Sequence, residues 1–167
     1  MRKLPRYKYC FVCGRNNQAG LNMIWEETDQ GVIGEYLSQE KHCGYIGIIH
    51  GGIISALLDE CIGWAVGLVE KKMFYTGELK VTFKAPLPVD KKVIIKGYYS
   101  NDQAEDKKYR KGYGSIVDDQ GTVYATAEGK FFAIPGENNE ALLKTLEMPD
   151  NIEEEMTVEE LWGEPAI

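Results

Sequence analysis

Several features that would define a class of protein are scarce in this chain. It holds only four cysteines among 167 residues, too few for a disulfide scaffold. No apolar run approaches the roughly 18 uncharged residues of a membrane span, and the basic N-terminus lacks the apolar core of a secretory signal. We therefore expect a soluble, cytoplasmic protein with reduced thiols and no membrane partner.

Basic residues are almost missing from the C-terminal end. Residues 137–167 hold ten acids against one base, Lys144, whereas residues 1–136 carry 18 bases and 16 acids. The formal net charge of −7 argues against nucleic-acid binding, and the mildly basic first part suits a small polyanion. The change in composition predicts one domain over residues 1–136, including the N-terminal Cys-x-x-Cys-Gly segment, and an acidic helix or tail over 137–167.

The cysteines and histidines do not complete a metal site in the sequence. Cys10 and Cys13 resemble half of a zinc site, but no second pair follows at the spacing of fingers or ribbons. The only imidazole beside another cysteine is that of His42, next to Cys43. We therefore expect no metal ion and no cofactor. We interpret the segment as a tight turn whose backbone geometry is supplied by Gly14, Asn16, Asn17 and Gly20.

The rest of the chain is organised around the apolar stretch from His50 to Lys72. This run is too long for a strand and contains no proline, which predicts a helix over residues 51–70. Alternating or β-branched segments predict six strands, at residues 21–28, 32–38, 75–85, 92–100, 109–117 and 122–134. Two strands, one helix and four strands form an α+β pattern, in which an antiparallel sheet of about six strands wraps one long central helix.

Two acids inside this helix and two glycines at its start are the candidate functional residues. The first N–H groups of a helix lack internal partners, so Gly51 and Gly52 are interpreted as an oxyanion hole or as a helix cap. An ionised Asp59 in an apolar helix costs free energy unless it is held by hydrogen bonds or used in catalysis. Ser55 lies on the same helix face as Asp59, whereas Glu60 points about 100° away and is expected to be paired or exposed.

The segment HGGIISALLD, with His50-Gly51-Gly52 followed by Leu57 and Asp59, resembles the signature of hotdog-fold acyl-CoA thioesterases. The likeness is strongest to the phenylacetyl-CoA and the human medium- to long-chain branches. Leu79–Ile95 is similar to the third strand of that family and its exit, and the Cys-x-x-Cys-Gly segment is similar to the opening of some members. The resemblance covers residues 10–134 and implies the hotdog fold.

The resemblance also implies roles for particular residues. Asp59 would be the catalytic carboxylate, either as a general base toward water or as a nucleophile through an anhydride. The backbone N–H of Gly51 from the opposite subunit would hold the carbonyl oxygen, and the hydroxyl of Thr76 would position water. The active site would then lie at the interface of a homodimer, or of a dimer of dimers (a homotetramer).

Four further residues are expected to bind substrate: His50, Gly52, Gly44 and Ser55. Some members of the family place an asparagine six residues before the histidine, where this chain has Gly44, so His42 or a backbone group is expected to serve instead. Strict alternation places Thr76 on the polar face of its strand, and we expect Gly77 to mark a bulge that redirects it.

The implied activity is hydrolysis of a fatty or aryl acyl-CoA thioester to the free acid and coenzyme A. Two alternatives are a non-catalytic acyl-CoA sensor and a hotdog enoyl-CoA hydratase or dehydratase. The hydratases pair histidine and carboxylate in other arrangements, and the chain contains no Asp-x-x-x-x-His motif.

Overall fold

The computed structural model describes residues 1–102 and 108–147. Its two α-helices are α1 (Gly51–Glu70) and α2 (Gly136–Leu143), and a 3-10 helix covers Glu40–His42. The strands, in chain order, are β1 (Arg2–Lys3), β2 (Arg6–Tyr7), β3 (Glu26–Thr28), β4 (Gly31–Leu37), β5 (Cys43–Tyr45), β6 (Ile48–Ile49), β7 (Phe74–Phe83), β8 (Lys92–Tyr99), β9 (Tyr109–Val117), β10 (Val123–Ala133) and β11 (Leu146–Glu147).

Seven of these strands form one antiparallel sheet in the order β1-β3-β4-β8-β9-β10-β7. The strand that directly follows the helix, β7, therefore lies at the far edge of the sheet and pairs only with β10 among the described strands. The α+β class and the single helix against an antiparallel sheet are confirmed, and the sheet has one strand more than predicted because β1 extends it.

The central helix begins and ends where its residues dictate. His50 is the N-cap, and its Nδ1 accepts the backbone N–H of Gly52 at 2.8 Å. Lys71 adopts the left-handed conformation at the C-cap, and the N–H of Lys72 bonds to the carbonyl oxygen of Gly67 at 3.2 Å. The residues at its two ends therefore satisfy backbone groups of both termini of α1. The whole apolar length between them is available for packing.

Helix α1 packs closely on the middle of the sheet because glycines face it. A Cβ atom added at Gly97 in β8 would lie 2.5 Å from the carbonyl oxygen of Cys61, and one added at Gly112 in β9 would lie 2.5 Å from Cγ2 of Ile62. Nine helix residues are buried in this contact: Ile54, Leu57, Leu58, Cys61, Ile62, Trp64, Ala65, Val66 and Gly67. Each large aliphatic side chain buried here contributes about 1.5–3 kcal/mol.

By length and composition, α1 is also the one helix in the described residues that a membrane could accommodate. In this fold the sheet covers much of the apolar surface of α1. Half of an 18-residue apolar stretch of the helix is buried inside the protein.

The predicted boundaries differ from the structure mainly at short or irregular segments. The helix limits 51–70 are correct. Of the first predicted strand, residues 21–28, only β3 forms, because the residues before it are an irregular segment that includes the buried Trp25. The acidic helix or tail predicted over 137–167 begins with a helix, α2, which starts at Gly136. The remainder of the predicted acidic tail, from residue 148, lies outside the described residues.

The close approach of helix and sheet yields a stability prediction. Gly97→Ala should destabilise the protein by about 1–3 kcal/mol, because the new methyl group meets backbone atoms that cannot rotate away. Gly136→Ala is the control, since nothing lies within 4 Å of the position of its added Cβ. Urea unfolding measures both free energies, and equal stability of Gly97→Ala and the wild type would contradict the close contact.

Candidate active site

The carboxylate of Asp59 and the hydroxyl of Thr76 form one hydrogen-bonded pair. Thr76 Oγ1 donates to Asp59 Oδ1 at 2.8 Å, which joins the middle of α1 to the edge strand β7. The other carboxylate oxygen, Oδ2, has no hydrogen-bond partner within the described part of the chain. The arrangement fixes the carboxylate through one oxygen and leaves the second available to a water molecule.

The predicted bulge at Gly77 explains how Thr76 reaches the helix. In the pairing of β10 with β7, Lys130 lies opposite Glu78 and Phe131 opposite Thr76, so the register skips Gly77. A Cβ on Gly77 would lie 2.2 Å from Cε2 of Phe132, so a larger residue does not fit there without a shift. The extra residue changes the side to which Thr76 points.

Burial changes the acidity of Asp59. Partial removal from water raises the pKa of its carboxyl group above the usual value, and the hydrogen bond from Thr76 opposes that rise only in part. An aspartate with a raised pKa is a stronger base than a solvated one and accepts a proton more readily.

A second group of predicted residues lies at the N-terminus of α1. Because the N–H of Gly52 donates to the N-cap side chain at His50 Nδ1, it is not free to bind a carbonyl oxygen. The N–H groups of Ile53 and Ile54 are directed to the carbonyl oxygen of His50, at 3.0 and 3.3 Å. The N–H of Gly51 has no partner in the parts of the chain that the structure describes, so it remains available as a hydrogen-bond donor.

The Gly51 N–H borders an open cleft of about 580 Å³. Gly44 and His50 line the same cleft and contact each other, since a Cβ on Gly44 would lie 3.0 Å from His50 Cδ2. Phe83, the last residue of β7, and Lys84, which follows it, also line the cleft. Lys84 has no ion pair in the described residues and is therefore the cation best placed for an anionic ligand in this cleft.

Ser55 does not have a free hydroxyl proton. Its Oγ donates to the carbonyl oxygen of Gly51 at 2.8 Å, one turn earlier in the helix. The serine therefore stabilises the first turn of α1, and its predicted role in substrate binding remains a prediction.

One chain does not bring the two predicted catalytic groups together. Gly51 and Asp59 are separated by eight residues of the same helix, or about 12 Å along its axis at 1.5 Å per residue. A thioester carbonyl held by the Gly51 N–H therefore lies far from the Asp59 carboxylate of that chain.

His42 is a buried imidazole near the helix start. Its Nδ1 lies 2.7 Å from the hydroxyl of Tyr36, while its Nε2 is buried with no hydrogen-bond partner among the described residues. Burial lowers the pKa of His42, which favours the neutral ring at physiological pH. The carbonyl oxygen of His42 accepts the N–H of His50, so the histidine also positions the N-cap.

The acid next to Asp59 lies in a different environment. Glu60 Oε2 accepts a hydrogen bond from Cys10 Sγ at 2.9 Å, and its Oε1 accepts the indole N–H of Trp25 at 2.9 Å. Burial raises the pKa of Glu60 to about 8, and hydrogen bonding to Cys13 lowers the pKa of Cys10 to about 5. Sequence analysis expected Glu60 to be paired or exposed, and it did not connect this acid with Cys10, which lies 50 residues earlier.

The fold agrees with that of known proteins. Residues 46–101 match the family model described as the thioesterase superfamily, a match that includes all of α1, β7 and β8. The fold is that of the thioesterase superfamily. Sequence analysis predicted the hotdog fold of that superfamily, and the predicted fold is confirmed.

Solved thioesterase-superfamily structures share the fold at low sequence identity. A thioesterase superfamily protein is 24% identical with a TM-score of 0.66; the alignment covers 75% of this chain and 63% of that one, so this chain spans less than two thirds of that relative. A Streptococcus mutans protein bound to acetyl-CoA is 18% identical (TM-score 0.60, 68% and 89% covered). Thioesterase superfamily member 2 from zebrafish is 15% identical (TM-score 0.61, 71% and 89% covered). No curated protein matches the chain.

The raised pKa of Asp59 predicts a gain in stability when its charge is removed. A pKa above the unfolded value means that folding is favoured while the group is protonated, and that this contribution is lost as the pH rises through the folded-state pKa. Asp59→Asn, which keeps an acceptor for Thr76, should therefore be more stable than wild type at pH 7. The difference should vanish at a pH below the unfolded value of 3.8. Denaturant unfolding at both pH values measures this, and a less stable Asp59→Asn at pH 7 would contradict the burial cost.

Proposed function

We propose that this protein hydrolyses an acyl-CoA thioester, with a fatty or aryl acyl group, to the free acid and coenzyme A. The observation that carries the proposal is the Asp59–Thr76 pair, a partly buried carboxylate held through one oxygen on a helix whose first N–H is free. Acyl transfer needs these two elements, a base or nucleophile and a donor for the developing oxyanion.

The proposed reaction uses both groups. The carbonyl oxygen of the thioester accepts the N–H of Gly51 and carries the negative charge of the tetrahedral intermediate at the positive end of α1. Asp59 Oδ2 takes a proton from water, and the water oxygen attacks the carbonyl carbon. Collapse of the intermediate breaks the C–S bond, and the thiolate of coenzyme A leaves and is protonated. If Asp59 attacks directly, an anhydride forms first and water then cleaves it.

The 12 Å between Gly51 and Asp59 requires two copies of the chain in this mechanism. The edge strand β7 supports such an assembly, because it is ten residues long and its Tyr75 and Phe83 are 56% and 54% exposed. A long apolar edge strand tends to pair with another chain. We propose a homodimer, or a dimer of dimers, in which Gly51 of one copy and Asp59 of the other act on the same substrate.

Relatives with the same fold support the ligand class. A hypothetical thioesterase from Streptococcus pneumoniae has been solved with coenzyme A, and the Streptococcus mutans protein with acetyl-CoA. The pneumococcal protein has also been solved as an aspartate-to-alanine and as a threonine-to-alanine variant, the residue types of the pair described above. Lys84, at the cleft beside Gly51, is the residue proposed to contact the phosphates of coenzyme A.

Steady-state hydrolysis of a panel of acyl-CoA esters tests the two roles separately. Asp59→Ala should lower kcat by about 100-fold or more, because the base is lost. Gly51→Pro should lower kcat by about 100- to 1000-fold, because it removes a single oxyanion donor. Proline fits the first helical position, and His50, with φ −61° and ψ 134°, has a conformation that tolerates a following proline.

Matched controls separate chemistry from structure. Gly51→Ala adds a Cβ near the ring of Phe83 but keeps the N–H, so its loss should be much smaller than that of Gly51→Pro. Asp29→Asn, in an exposed turn, should match the wild type.

Equal rates for Asp59→Ala and wild type would refute the assigned base. Tight binding without turnover would indicate a sensor, and hydration of crotonyl-CoA would indicate a hydratase.

A further inference from the structure

A cluster of three possible metal ligands lies away from the Asp59–Thr76 pair. Cys10 Sγ, Cys13 Sγ and a carboxylate oxygen of Glu60 all lie within 4.8 Å of one another. The two thiols come from the N-terminal turn and the carboxylate comes from α1, so the fold brings them together from distant parts of the sequence. The proposed hydrolysis uses none of the three groups.

The turn holds the two sulfur atoms in a fixed arrangement. The N–H of Val12 points at Cys10 Sγ at 3.3 Å, and the N–H of Gly14 bonds to the carbonyl oxygen of Cys10 at 3.0 Å. A Cβ on Gly14 would lie 2.4 Å from that same oxygen, so the tight loop requires glycine there. N–H groups directed at a sulfur stabilise the thiolate, which is the form that binds metals.

The carboxylate is oriented in the way that metal ligands commonly are. The indole N–H of Trp25, which is fully buried, holds Glu60 Oε1, and Oε2 faces Cys10. Ligating carboxylates are typically hydrogen-bonded through their other oxygen. In the described part of the chain no lysine or arginine forms an ion pair with Glu60. Three groups that can carry negative charge therefore share one partly buried place with no cation beside them.

We propose that Cys10, Cys13 and Glu60 bind one divalent transition-metal ion of the zinc type. Thiolates select zinc over magnesium and calcium, and one carboxylate is compatible with that preference. Tetrahedral zinc, with bonds of about 2.3 Å to sulfur and about 2.0 Å to oxygen, sets ligand atoms about 3.5–3.8 Å apart. The ligand atoms of the cluster lie within 4.8 Å of one another, with Cys10 Sγ 2.9 Å from Glu60 Oε2, which brackets that spacing.

Three protein ligands leave one coordination position, and the structure shows where it opens. The cluster borders a cleft of about 820 Å³, whose other walls include Trp64, Tyr75 and Leu142. Sites with three protein ligands and an open fourth position bind water or an exchangeable ligand, unlike closed structural sites. The metal would thus present an exchangeable position to a mostly apolar cleft.

Zinc binding to the full-length, reduced and metal-free protein tests the proposal. Competition against a chromophoric chelator should show one zinc per chain, and cobalt in the same site should produce sulfur-to-metal charge-transfer bands. Cys13→Ser and Glu60→Gln should each weaken zinc binding by about 100-fold or more, since even the loss of an outer-shell partner costs up to that factor. Cys43→Ser is the matched control and should bind as wild type, because Cys43 is outside the cluster.

Several outcomes would overturn the proposal. One is failure of the reduced wild type to take up zinc or cobalt, including the case in which it forms a Cys10–Cys13 disulfide instead. Another is unchanged affinity in a folded Cys13→Ser. If circular dichroism shows that Cys13→Ser is unfolded, Glu60→Gln decides, because glutamine still accepts the Trp25 N–H while the anionic ligand is gone. These binding measurements do not depend on thioester hydrolysis, so the two proposals stand or fall separately.

Discussion

The packing of α1 against the middle of the sheet is the constraint on which the rest of the structure depends. The helix is apolar on nearly every side, so it needs covering, and Gly97 and Gly112 let the sheet come close enough to do so. This contact fixes the height and rotation of the helix. It therefore also fixes where the two acids inside it point, since consecutive residues differ by about 100°.

The two acids are stabilised in different ways because of that rotation. Asp59 points toward the edge strand, where the bulge at Gly77 supplies the hydroxyl of Thr76. Glu60 points toward the N-terminal turn and accepts hydrogen bonds from Cys10 Sγ and from the indole N–H of Trp25. In each case burial raises the pKa of the acid, and neither acid is neutralised by a lysine or arginine in the described residues. One helix thereby places two acids in chemically different environments.

The sequence predicts the long elements well because their patterns are strong. The limits of α1 follow from a long apolar run without proline, the four strands after it from alternating or β-branched segments, and the bulge from the glycine at position 77. Short strands such as β5 and β6 have too few residues to show a period, and pairing rather than local preference creates them. The Cys10–Glu60 contact spans 50 residues, and no local pattern connects its partners. The hydrogen bond from Ser55 Oγ to the carbonyl oxygen of Gly51 likewise could not be predicted from the sequence.

The central claim is that Gly51 of one copy and Asp59 of its partner act together. Mixing inactive Asp59→Ala and Gly51→Pro chains under conditions of subunit exchange tests it most directly. In a homodimer each mixed pair contains one site with both groups intact, and half of the dimers are mixed. The account predicts recovery of about one quarter of wild-type activity. Mixed dimers detected by native mass spectrometry without any recovered hydrolysis would contradict it.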